Sequence, residues 1–171
     1  MIKVALFLAH GGDPMTAAIK ALERRSHSHA ALLLDEAEGR IFELFYPEAR
    51  FRNLKPEERV AIDLYEIIGL TPEQQTKILA VCQGAVTYHQ RYGVANLFRF
   101  LPFARPILGE AKDDADLNAH KAPLFCSQAV FDALKYAGIQ LLNAHSWEVA
   151  PENLAWSTLL RKVDWAPVAA A

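Results

Sequence analysis

Residues 29–47 read HAALLLDEAEGRIFELFYP. Ala30–Leu34 and Ile41–Tyr46 are apolar runs of strand length. Between them, Asp35–Arg40 is polar and contains Gly39, which marks a turn. Two strands joined by a short turn form an antiparallel hairpin, so this stretch commits the chain to a sheet. Two residues interrupt the apolar pattern: His29 at the mouth of the first strand and Glu43 inside the second. With the turn centred near Glu36 or Ala37, they fall on one face, either directly opposite or on a diagonal. A carboxylate on a buried face is costly unless it has a partner.

Working outward, Ile2–Ala9 is a continuous apolar run ended by Gly11-Gly12, which predicts a strand buried on both faces. No small-x-small cleavage site follows it before Asp13-Pro14, so it reads as a strand rather than a leader. Asp13-Pro14 predicts the start of a short helix carrying Ile19 and Leu22. Pro47 closes the hairpin, and a helix is expected over 56–68. Thr71-Pro72-Glu73-Gln74 is a capping box with proline at the first helical position. The helix it opens should run to about Gln90, with Ile78, Val81, Cys82, Ala85 and Val86 on its apolar side. A second helix is expected from Cys126 to a C-cap at Gly138, and a short last one over 151–160. The tail after it should be frayed. The fold class is α+β, in one domain over 1–171.

Composition narrows the function. The 171 residues are 52% hydrophobic and 22% charged, which excludes a disordered chain. A net charge of −2 argues against nucleic-acid binding through a positive field. No apolar run approaches the ~20 residues of a membrane helix. Two cysteines, Cys82 and Cys126, make no disulfide framework, and free thiols in a cytoplasmic protein are expected. Oligomeric state is left open.

Cys126 follows the extended segment Lys121–Phe125 and opens an amphipathic helix. Unpaired N–H groups and the positive end of the helix dipole there favour a thiolate. His29 is suited to act as its base, and Glu43 to orient the imidazole. Cys82, in mid-helix on the apolar side, reads as core. His27 shares the parity of His29, but the chain has no CxxC or HExxH that would complete a zinc site. No metal and no cofactor are expected. His10-Gly11-Gly12 lacks the GxSxG elbow that would make it an oxyanion loop, and reads as a strand end.

A histidine on one strand, an acid on the next and a late cysteine opening a helix form a distinctive order. The chain resembles the circularly permuted papain-like amidases of the NlpC superfamily, in the YiiX/YaeF-like branch related to lecithin retinol acyltransferase. The resemblance rests on Ser28-His29-Ala30-Ala31-Leu32, Glu43, Phe125-Cys126-Ser127 and Ala137-Gly138. Tyr92-Gly93 and Ala150–Ala155 add to it. Gln128 stands where the family usually has Glu, the entry strand lacks the relatives' Gly-Asp start, and residues at about 47–75 look like a helical insertion. The resemblance implies a papain-like antiparallel sheet packed on the nucleophile helix. It also implies a cysteine hydrolase with Cys126 as nucleophile, His29 as base and Glu43 as orienter. Substrate contacts are expected at Ser28, Ser127, Gln128 and Tyr92. The implied substrate is a small molecule, a peptide or an acylated compound. Two alternatives stand beside this reading. One is an acyltransferase, encouraged by the apolar stretch Val94–Leu108, and the other is a non-catalytic ligand-binding module on the same scaffold.

Overall fold

The computed structural model describes residues 1–8, 26–93 and 124–166. The expected helix after Asp13-Pro14, the strand end at His10, the stretch 94–108, the acidic segment 110–116 and the tail from 167 lie outside the described residues. The fold is α+β. Among the described residues, six strands form one antiparallel sheet in the order β4-β3-β2-β1-β5-β6. They are β1 (Lys3–Leu8), β2 (His27–Asp35), β3 (Arg40–Phe45), β4 (Glu48–Asn53), β5 (Ile62–Ile67) and β6 (Leu160–Val163). Among the described residues the α-helices are α1 (Pro72–Thr87), α2 (Cys126–Tyr136) and the short α3 (Pro151–Leu154). No helix among the described residues is long and apolar enough to cross a membrane.

The hairpin forms as expected, with Gly39 supplying the positive φ of 66° that its turn requires. β1 and β2 are central and buried on both faces, which explains their unbroken apolar runs. One face carries Val4, Leu6, Ala30, Leu32, Phe42 and Leu44 and packs against the helices. The opposite face carries Ala5, Ala31, Leu33, Ile41 and Leu64, and packs with Leu54 and Trp165. Helix α1 opens on the expected capping box, with the Thr71 hydroxyl accepting from the Gln74 N–H at 3.2 Å and Gln74 Oε1 accepting from the Thr71 N–H at 3.0 Å. Helix α2 ends in a Schellman turn, in which Gly138 (φ 80°) donates to the Lys135 carbonyl and Ile139 to that of Leu134.

The segment 47–75 corrects the sequence reading. In place of a helix over 56–68 it holds a 3-10 turn at Pro56–Ala61 followed by β5. It also supplies β4, so it contributes two strands of the sheet and is not a helical insertion. The expected last helix over 151–160 stops at Leu154, and the chain continues into β6. In both places a strand forms because a neighbour already in the sheet offers it a ladder. β5 pairs with β1, and β6 pairs with β5. Local propensity carries little of that information.

Candidate active site

β2 and β3 pair from Asp35 opposite Arg40, through a register shift between Leu33 and Asp35, to Ala31 opposite Glu43, and their pairing stops there although both strands run on. His29 is therefore the diagonal neighbour of Glu43, on the same face. Its Nε2 lies 3.0 Å from Glu43 Oε2. Phe7 and Phe45 flank the imidazole, with ring centroids 5.0 and 5.5 Å away. His29 lies within β2 rather than at its mouth.

Cys126 is the first residue of α2, which packs on the other face of the sheet. The parting of β2 from β3 lets the two sides meet. The Ala30 N–H, outside the β2–β3 ladder, and the Ser127 N–H at the helix start favour the Cys126 thiolate, as do the charge and hydrogen bonding of the His29 imidazole. Glu43 holds the ring by Nε2. The N-cap residue Phe125 has no capping side chain, so the first N–H groups of α2 are not taken by a cap.

The electrostatics follow from this chain of contacts. Burial alone would push the imidazole down, but the charge and hydrogen bond of Cys126, then those of Glu43, raise His29 to about 9. Burial pushes the Cys126 thiol up, and the imidazolium's charge and hydrogen bond outweigh it, with help from the two N–H groups, to hold the thiol below its ordinary value. Glu43 is 1% exposed, which by itself raises its carboxyl. His29 and then Arg52 overcome that and hold it at about 2. Thiolate and imidazolium are thus the mutually favoured forms. Cys82 is the contrast: burial without a cationic partner pushes its thiol well above the ordinary value.

Arg50 and Arg52 are site residues that the sequence reading missed. Glu43 Oε1 accepts from Arg50 Nε at 2.8 Å and Arg52 Nε at 2.8 Å, and Arg50 Nη2 lies 2.7 Å away. Arg52 continues to Glu58 through Nη1 at 2.9 Å. Their alternation along β4 places both on the face of Glu43, but that signal exists only once β4 is known to pair with β3.

Of the expected substrate contacts, Ser28 lines a cavity of about 270 Å³ together with His29, Phe7, Phe45, Arg50 and Arg52. Ser127, Gln128 and Tyr92 do not line it. Ser127 Oγ donates to the Val149 carbonyl at 2.6 Å, and Gln128 Nε2 to Ser146 Oγ at 3.4 Å, so both anchor α2 to the segment 146–149. Tyr92 bridges to Leu124 and packs against the core. Cys126 is 3% exposed and does not line the cavity either. His27 lies between two carboxylates, with Nδ1 2.8 Å from Glu152 and Nε2 3.2 Å from Asp63. It ties the start of β2 to α3 and β5.

No protein-family model matches the chain, and no curated protein matches its sequence.

Proposed function

We propose that the protein is a cysteine hydrolase of the permuted papain-like kind, cleaving a small amide or ester bond through an acyl-enzyme. One observation carries the reading: a single imidazole is held between a carboxylate and a thiol at the start of a helix. This is the nucleophile–base–orienter arrangement. The chain order, with histidine and acid on adjacent early strands and cysteine on a late helix, supports the permuted form.

In the proposed reaction the Cys126 thiolate attacks the scissile carbonyl. The oxyanion is met by N–H groups at the start of α2, where losing one such donor typically costs ~100-fold or more in rate. The C–S bond forms, the C–N or C–O bond breaks, and His29 gives its proton to the leaving atom. Water, deprotonated by His29, then hydrolyses the thioester and frees the thiol. Glu43 holds the ring orientation and supports the imidazolium throughout.

The near-complete burial of Cys126 favours a second reading, a ligand-binding module on the same scaffold. The acyltransferase reading draws on Val94–Leu108, outside the described residues. Iodoacetamide labelling followed residue by residue from pH 5 to 9 separates enzyme from binder. A hydrolase requires Cys126 to react at least about tenfold faster than Cys82 at pH 6, and this advantage must vanish in His29→Ala. Equal, slow labelling of both cysteines, unaffected by His29→Ala, would overturn the catalytic reading. Product analysis with and without an acceptor amine or alcohol then tells hydrolase from transferase.

A further inference from the structure

The cavity beside His29 has a composition that the dyad does not explain. It is reached by the base and not by the nucleophile, since His29 lines it and Cys126 does not. The base therefore borders a space that a ligand can fill beside it. At about 270 Å³ it lies just below the usual ligand range, which suits a small fragment.

Its walls are aromatic and cationic. Phe7 and Phe45 flank the imidazole, and the Arg50 guanidinium stacks over Phe45 at 5.1 Å. The two carboxylates in the lining are already engaged. Glu43 accepts from His29, Arg50 and Arg52, while Glu58 Oε2 accepts from Arg52 and the Lys55 N–H. Arg50 has capacity left over. It meets Glu43 side-on through Nε and Nη2, its side chain is 46% exposed, and its Nη1 has no partner among the described residues. The open Nη1/Nη2 edge is the fork that grips a planar carboxylate by two parallel bonds.

We propose that this cavity is a binding subsite for a small aromatic or apolar molecule bearing a carboxylate, gripped by the free edge of Arg50. The subsite rests on the cavity alone and stands independently of the hydrolase reading.

Benzoate and benzamide have nearly the same shape and differ in charge, so they isolate the proposed contact. Each is titrated into the intact protein and followed by the His29 ring proton resonances in NMR spectra. Benzoate should bind about tenfold more tightly than benzamide, as a charge-assisted paired contact implies. The ratio should fall toward one in Arg50→Gln. It should fall also for wild type in high salt, a readout that does not depend on the variant folding. Equal affinity of the two probes overturns the subsite, as does a benzoate preference that survives both Arg50→Gln and high salt. Neither probe reacts with thiols, so the outcomes separate from those of the labelling experiment. A fast Cys126 without anion preference overturns the subsite alone. A slow Cys126 with anion preference overturns the hydrolase and leaves the subsite standing.

Discussion

Glu43 is the residue on which the site balances. Its Oε2 faces His29 and its Oε1 faces two guanidiniums, so it is shared between orienting the imidazole and neutralising the arginines. Replacing it with Gln keeps the shape and removes the charge that favours imidazolium. The thiolate and imidazolium titrate as a pair. Glu43→Gln should therefore raise the pH at which rapid Cys126 labelling begins. It should also lower the upper apparent pKa from about 9, narrowing the ion-pair window by about one unit at each end. Stability gives a second readout. The Glu43 carboxyl sits at about 2 when folded against an ordinary 4.5, so its contribution is complete above pH 4.5 and is lost as pH falls toward 2. Glu43 should account for on the order of 3 kcal/mol of what wild type loses across that window, a share that Glu43→Gln lacks. Urea titrations at several pH values measure it. Unchanged labelling and unchanged acid sensitivity in the variant would reduce Glu43 to a packing role.

Among the elements, α1 shows how much a local signal can fix. Its start is written in Thr71-Pro72-Glu73-Gln74, and each capping bond forms within four residues of chain. Thr71→Ala should lower stability by about 1 kcal/mol and the melting temperature by a few degrees, with Cys126 labelling unchanged because α1 holds no part of the dyad. Thermal unfolding checks the first part and labelling the second. β5 is the opposite case. Ile62, Leu64, Tyr65 and Ile67 are buried on both faces of the sheet, so strict alternation is absent and the run looks helical in isolation. Its strand character comes from β1, to which Leu64 brings Ala5 as partner.

For the whole molecule, the sheet separates two apolar layers, and α2 joins the larger one to the site. Phe131 of α2 is fully buried in that layer, one helical turn beyond the residues next to Cys126. Phe131→Ala should cost about 3–5 kcal/mol, a large share of a typical 5–15 kcal/mol. Because the same helix carries Cys126 and shares its apolar layer with Cys82, the variant should lose the reactivity advantage of Cys126 and gain labelling at Cys82. Denaturant titration gives the stability loss. Labelling that stays selective for Cys126 would show that the start of α2 is held by Ser127 and Val149 independently of the core.

The hairpin, the first strand, the opening of α1 and the closing of α2 were legible in the residues because each depends on neighbours a few positions apart: apolar runs, a turn glycine, a capping box, a C-terminal glycine. Parity alone placed His29 and Glu43 on one face, and register then chose the diagonal. The rest needed partners distant in the chain. β4, β5 and β6 are strands because of what they lie beside, and Arg50 and Arg52 reach Glu43 only through the pairing of β4 with β3. His27 is held by Asp63 and Glu152, which no local spacing would connect to it. The meeting of Cys126 with His29 across two faces of the sheet depends on where β2 and β3 part. Side-chain hydrogen bonds and ladder edges are satisfied in space, not along the sequence, so only the folded chain could decide them.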